Sequence, residues 1–128
     1  MKLRCYYAHT MLSYNSTIEK QDIELLERLG FEVINPNQKW IQEGCNDYIA
    51  EHGRENTMDY FKEIINNCEL VAFRSNPDGS ILSGIAFELK YAVETAKPII
   101  ELPCSLESRM WDYPKTKKYL IEIGHYKV

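Results

Sequence analysis

The sequence lacks the cysteine and histidine spacings that mark zinc sites and disulfide frameworks. Its 128 residues contain four cysteines and three histidines. Cys5, Cys45, Cys68 and Cys104 are scattered along the chain, and no two of them form a Cys-x-x-Cys pair. We therefore expect no metal site, and we expect these thiols to be reduced and mostly buried.

Long apolar runs and an excess of basic residues are also missing. No run approaches the ~20 apolar residues of a membrane helix, and the first residues lack the apolar core and cleavage site of a secretion signal. The net charge is −4, whereas proteins that bind polymeric nucleic acid present a basic surface. The chain also lacks the glycine-rich motifs of nucleoside-triphosphate and dinucleotide sites. These absences predict a cytoplasmic protein with no membrane or polymeric nucleic-acid partner, acting on a small molecule.

The sequence does contain a regular alternation of short apolar runs with stripes of apolar residues at helical spacing. Strands are predicted at 3–8, 31–34, 70–73 and 99–102, with a short edge strand at 125–128, and helices at 18–29, 58–67, 85–96 and 116–123. Residues 38–55 predict a short helix broken at Gly44 and Gly53, serving as a lid or as an irregular connection. Residues 1–128 thus predict one α/β domain with three layers. We expect a mostly parallel sheet of four or five strands with helices on both faces, flavodoxin-like or Rossmann-like.

Two carboxylates in the segment from 68 to 102 are candidates for chemistry, because ligands of such sheets bind outside the carboxyl ends of the strands. Glu88 lies near the start of a helix, where the helix dipole favours its ionised form. It is either a nucleophile that stabilises a developing cation or an exposed helix glutamate. Asp78 is either a second carboxylate that shares acid and base work with Glu88 or a turn residue in Pro-Asp-Gly.

Polar groups near these carboxylates are candidates for ligand binding. Ser80, Ser83 and Gly84 suit a phosphate or a sugar hydroxyl, although Ser83 is equally suited to capping the helix. Strand alternation sends Tyr6 and Tyr7 to opposite faces, where each of them either reaches the ligand site or packs in the core. The polar run at 10–17 either holds a phosphate or caps the following helix.

The order of these motifs resembles that of the nucleoside 2-deoxyribosyltransferase superfamily, which includes 2'-deoxynucleoside 5'-phosphate N-hydrolases. The resemblance covers about residues 2 to 102. It is carried by Tyr6-Tyr7-Ala8-His9, by the run from Leu29 to Pro36, by Gly84-Ile85-Ala86-Phe87-Glu88-Leu89-Lys90-Tyr91-Ala92 and by Lys97-Pro98-Ile99-Ile100. His9 and Lys90 stand where the family usually has glycine.

The resemblance implies an enzyme that cleaves the N-glycosidic bond of a nucleoside or nucleoside 5'-monophosphate without a cofactor. It implies that Glu88 is the nucleophile, that Tyr6 positions it, and that Asp78 assists the leaving base. The residues expected to bind substrate are Ala8, His9, Thr10, Ser80, Ser83 and Gly84. It also implies a homo-oligomer, most simply a dimer, and residues 109–113 are rich in side chains that favour interfaces.

Two alternatives remain open at this point. One is an NAD-cleaving domain of the TIR type, and the other is a catalytically silent module that binds a nucleotide or a protein partner. A monophosphate is weakly favoured over a free nucleoside, with Arg74 or Lys39 as the candidate cations for its phosphate.

Overall fold

Helices connect the strands along the chain, and the strands form a parallel sheet. The structure, a computed structural model, describes residues 1–103 and 106–127. Within these residues the elements are β1 (Arg4–Ala8), α1 (Thr17–Arg28), β2 (Glu32–Ile34), α2 (Lys39–His52), α3 (Thr57–Asn66), β3 (Leu70–Phe73), α4 (Ser83–Glu94), β4 (Ile99–Glu101) and α5 (Tyr113–Glu122). The sheet order is β2-β1-β3-β4, and every pairing is parallel. The predicted three-layer α/β fold is confirmed.

Strand β1 lies inside the sheet and is buried on both faces. Tyr6 and Ala8 contribute to one apolar core, together with residues of α2, α3 and α4. Cys5 and Tyr7 contribute to the other core, which Leu26 of α1 covers. The predicted separation of Tyr6 and Tyr7 onto opposite faces is therefore confirmed. It directs the Tyr6 side chain toward α4, which carries Glu88.

Helix α2 differs from the broken helix that Gly44 suggested. It runs without interruption from Lys39 to His52 and ends at Gly53. A Cβ atom at position 44 would collide with the Tyr60 hydroxyl of α3. Gly44 is therefore a packing residue, because its missing side chain allows α2 and α3 to approach closely.

The end of the chain also differs from the prediction. Residues 125–127 form no strand, since the amides of His125 and Tyr126 both donate to the Leu120 carbonyl and close the end of α5. Val128, the last residue of that predicted strand, lies outside the described residues. Helix α5 begins earlier than predicted because the Asp112 carboxylate caps it by accepting the Lys115 amide.

Two further expectations were that the cysteines are reduced and that no helix spans a membrane. Cys5, Cys45 and Cys68 are free thiols, and Cys104 lies outside the described residues. Burial raises the pKa of Cys5 to about 12 and that of Cys68 to about 11, so both stay protonated at neutral pH. In residues 1–103 and 106–127, no helix has both the length and the apolar content needed to cross a bilayer.

Candidate active site

A cavity of about 320 Å³ lies where β1 and β3 reach their carboxyl ends. Its walls come from β1 and the loop after it, from α2, from the connection between α2 and α3, and from the first two turns of α4. Small-molecule sites have volumes of ~300–1,000 Å³, so the cavity suits a compact ligand. Its position agrees with the rule that ligands of α/β sheets bind beyond the carboxyl ends of the strands.

Tyr6 and Glu88 meet in this cavity. The Tyr6 hydroxyl, on a fully buried side chain, donates a hydrogen bond to Oε2 of Glu88. Glu88 itself is 8% exposed. In the part of the chain that the structure describes, no arginine, lysine or histidine forms a salt bridge with Glu88. Glu88 is therefore a nearly buried carboxylate supported by one neutral donor, not an exposed helix glutamate.

Burial raises the pKa of Glu88 to about 7, while the hydrogen bond from Tyr6 acts in the opposite direction. We expected the helix dipole to favour ionised Glu88, but burial outweighs any such effect and raises the pKa. The dipole acts mainly within the first turn, and Glu88 lies in the second turn of α4. Burial and the Glu88 charge raise the pKa of Tyr6 well above its usual value, so Tyr6 remains a proton donor. Glu88 therefore changes its ionisation near neutral pH.

Of the expected binding residues, His9, Thr10 and Gly84 line the cavity. Ala8 does not line it, because its side chain is fully buried in the core between β1 and the helices. Gly84 lies in the first turn of α4, and among the described residues no side chain caps the start of that helix. Backbone amides at the start of α4 are therefore available to a ligand at this wall.

The structure does not bring Asp78, Ser80 or Ser83 into the cavity, and all three are exposed. The Asp78 carboxylate accepts hydrogen bonds from the Ser80 amide at 3.0 Å and the Ser80 hydroxyl at 2.6 Å. These bonds hold the pKa of Asp78 below its usual value. The Pro-Asp-Gly sequence closes a local turn here, so the geometry gives Asp78 a turn-stabilising role and corrects the expectation that it shares a pocket with Glu88.

His9 supports the cavity wall through a buried contact with the Glu19 carboxylate. Its Nε2 lies 2.7 Å from Oε2 of Glu19, and its Nδ1 lies 3.0 Å from the Tyr7 carbonyl oxygen. Burial alone would raise the pKa of Glu19, but hydrogen bonds from His9, Asn15 and Asn37 outweigh it and hold the pKa below its usual value. His9 therefore ties the loop after β1 to α1.

A second buried network lies on the α1 side of the sheet. Tyr7 donates to Oδ2 of Asp22 at 2.6 Å, and the Arg74 guanidinium donates to both oxygens of the same carboxylate. Lys39, the other cation considered for a phosphate, is exposed and lies 3.8 Å from Glu43. Neither Arg74 nor Lys39 lines the cavity.

Sequence reasoning missed several lining residues, because they come from segments without a recognisable motif. Gln42, Cys45 and Asn46 reach the cavity from α2, and Arg54 reaches it from the connection to α3. The helical period of α2 was the available signal, since it places Gln42, Cys45 and Asn46 on one face.

Neither metal-ligand clusters nor known relatives add to the assignment. Among the described residues, no group of three or more histidine, cysteine or acidic side chains is placed to hold a metal ion. No protein-family model matches the chain, and a search of the curated proteins found no match. A functional assignment therefore depends on the geometry of the cavity and on the order of the sequence motifs.

Proposed function

We propose that the protein cleaves the N-glycosidic bond of a nucleoside or nucleoside 5'-monophosphate, with Glu88 as the nucleophile. The observation that carries the proposal is the Glu88 carboxylate, which is nearly buried in a ligand-sized cavity with Tyr6 as its hydrogen-bond donor. A carboxylate with a strongly perturbed pKa inside a cavity is typical of catalytic groups. The motif order around Glu88 supports the same reaction class.

The reaction would build positive charge on the sugar as the bond to the base breaks. Ionised Glu88 would form a bond to the anomeric carbon while the electron pair of the glycosidic bond leaves with the base, which takes a proton from solvent. Water would then break the glycosyl ester and regenerate the carboxylate, or a second base would accept the sugar. The low dielectric around Glu88 strengthens its attraction to the developing charge.

Tyr6 would act by orienting the carboxylate. It engages Oε2 of Glu88. Within the described residues, no buried side-chain polar atom lacks a hydrogen-bond partner, and no donor contacts Oε1 of Glu88. Oε1 must therefore retain access to the cavity, which makes it the oxygen available for attack. Tyr6 also stabilises the ionised form, because it donates to the charge.

The test is release of free base from a panel of nucleosides, nucleoside monophosphates and NAD, separated by chromatography. Glu88→Gln preserves the shape of the side chain and removes the charge, so it should abolish most turnover. Glu94→Gln is the matched control, since Glu94 is an exposed carboxylate on the same helix. Equal base release by the wild type and the Glu88 variant would refute the nucleophile assignment.

A silent binding module is the second candidate, and His9 is the observation that favours it. His9 lines the cavity at a position where the resembling family has glycine, and its contact with the Glu19 carboxylate holds it there. A narrower cavity favours binding over turnover of a bulky substrate. Binding of a nucleotide without base release from any compound of the panel would support this reading.

We further propose a homodimer in a reducing compartment such as the cytoplasm. Within the described chain, α5 buries none of its residues, and Met110 and Tyr113 are 73% and 75% exposed. Trp111 packs edge-on against Tyr119 and is itself 45% exposed. An aromatic surface of this kind suits a second copy of the chain. The free thiols of Cys5, Cys45 and Cys68 are consistent with the compartment.

A further inference from the structure

The cavity carries one acidic and one guanidinium side chain in the part of the chain that the structure describes. Glu88 lies in α4, and Arg54 lies in the connection between α2 and α3. The other polar lining groups are hydroxyls, amides and a thiol, together with His9, which contacts the Glu19 carboxylate. The cavity thus presents a carboxylate to one part of a ligand and a cation to another.

The backbone around Arg54 is held firmly. Gly53 ends α2 with a φ of 94°, a left-handed conformation that favours glycine. The Asn56 side-chain amide donates to the His52 carbonyl at 2.7 Å, and the Thr57 hydroxyl donates to the Arg54 carbonyl at 2.5 Å. These contacts fix the tight turn from which the Arg54 side chain extends, so little backbone ordering is needed when a ligand binds.

The electrostatic surroundings of Arg54 favour an anionic ligand. Among the described residues, no carboxylate lies within salt-bridge distance of its guanidinium. Helix α3 begins at Thr57, and the positive end of its dipole adds to the same region, where Asp59 in the first turn offsets part of it. Burial raises the pKa of the Cys45 thiol, and the Arg54 charge acts against that rise. Because this effect requires proximity, the Arg54 charge lies near Cys45, a residue of the cavity wall.

We propose that Arg54 binds the phosphate of a nucleoside 5'-monophosphate and so determines the specificity of the cavity, an inference that rests on the proposed function. A guanidinium can donate two parallel hydrogen bonds to a phosphate, a geometry that lysine cannot offer. The ligand would place its sugar at Glu88 and its phosphate at the α2–α3 connection. Arg54 is a binding residue and takes no part in bond cleavage.

The experiment is calorimetric titration of Glu88→Gln protein, which prevents turnover, with 2'-deoxyadenosine, 2'-deoxycytidine, their 5'-monophosphates and inorganic phosphate. At least one monophosphate should bind about ten- to a hundredfold more tightly than its nucleoside, as expected for charge-assisted hydrogen bonds. Adding Arg54→Gln should remove that preference by weakening monophosphate binding about ten- to a hundredfold more than nucleoside binding. Adding Lys39→Gln is the matched control, since Lys39 is an exposed cation of the neighbouring helix outside the cavity, and it should preserve the preference.

Three results would overturn the inference: no preference for a monophosphate, an equal loss with Lys39→Gln, or an equal weakening of nucleoside and monophosphate by Arg54→Gln. Inorganic phosphate tests whether a free anion is sufficient, and binding as tight as that of the monophosphate would also contradict the proposal. The outcome is separable from the glycosidase reaction. Absence of base release in the wild type would refute the catalytic proposal while leaving a phosphate preference that depends on Arg54 intact.

Discussion

Replacing Glu88 by glutamine should make the protein more stable at alkaline pH, by an amount that the burial of the carboxylate sets. The pKa of Glu88 rises from its usual 4.5 to about 7 in the folded protein. Each pKa unit corresponds to ~1.4 kcal/mol, so ionising Glu88 lowers the free energy of unfolding by on the order of 3 kcal/mol. Glutamine keeps the shape of the side chain and has no charge to bury.

The sign follows from proton binding. A raised carboxyl pKa means that the folded state holds the proton more tightly than the unfolded state, so this group makes stability fall as pH rises from about 4.5 to about 7. Above that window the loss is constant. Glu88→Gln should therefore match the wild type near pH 4.5, apart from the exchange of one neutral hydrogen bond with Tyr6, and should be the more stable protein at pH 8.

The assay is urea unfolding of the wild type, Glu88→Gln and Glu94→Gln at pH 4.5 and pH 8. Other titrating groups are common to the wild type and the Glu88 variant, so their contributions cancel in the difference between them. Glu94 is exposed, and its variant should show little change between the two pH values. A wild-type-to-variant difference at Glu88 that is the same at both pH values would refute the reasoning. If Glu88→Gln is more stable than the wild type and releases no base, Glu88 is a residue that lowers stability and is needed for function.

Four further variants, one of them compared with the wild type by sedimentation, test other parts of the structure. Tyr6→Phe removes the donor that stabilises ionised Glu88, so the pKa of Glu88 should rise and the rate of base release should increase with pH over a higher pH range. A shift of this increase to lower pH would contradict the role of Tyr6. Asp78→Asn should change the rate of base release by less than about twofold, because the Asp78 carboxylate contacts Ser80 of its own turn. A loss of about tenfold would show that Asp78 takes part in catalysis. Arg74→Ala should lower the urea-derived stability by about 3–5 kcal/mol, since it leaves a buried carboxylate unpaired, and a loss below about 1 kcal/mol would contradict that ion pair. Sedimentation equilibrium of the wild type at micromolar concentration should give a dimer mass that Trp111→Glu reduces, and a monomeric wild type would remove the dimer proposal.

The fold was predictable because its signals repeat along the chain. Strands such as β1 and β3 read as short apolar runs, and the helices between them carry apolar stripes, so each strand–helix–strand unit predicts a parallel pair. The predicted strand at 125–128 failed at its described positions because a period of two over so few residues cannot compete with hydrogen bonds to the Leu120 carbonyl. Gly44 was misinterpreted for a related reason, since its importance depends on Tyr60, sixteen residues away.

The candidate site was only partly predictable. Glu88 was identified from its small apolar neighbours and the motif order, but its pKa depends on burial that only the packed cavity creates. Asp78 was overrated because its local turn, closed through Ser80, determines its contacts. Arg54 was missed because a three-residue turn has no periodic signal, and its place in the cavity follows from how α2 and α3 pack.

A comparison of two buried glutamates supports the proposal that the cavity is a catalytic site. Glu19 and Glu88 are almost equally buried, at 6% and 8% exposed. Glu19 accepts hydrogen bonds from His9, Asn15 and Asn37, and its pKa falls below its usual value. Among the described residues, Glu88 accepts a hydrogen bond from the Tyr6 hydroxyl alone, and burial raises its pKa to about 7. The structural carboxylate of Glu19 thus has enough hydrogen-bond donors to stay ionised. The Glu88 carboxylate, beside a ligand-sized cavity, has too few. A binding module would gain from replacing Glu88 by a neutral residue, whereas a glycosidase needs that under-stabilised charge when a cation develops on the sugar.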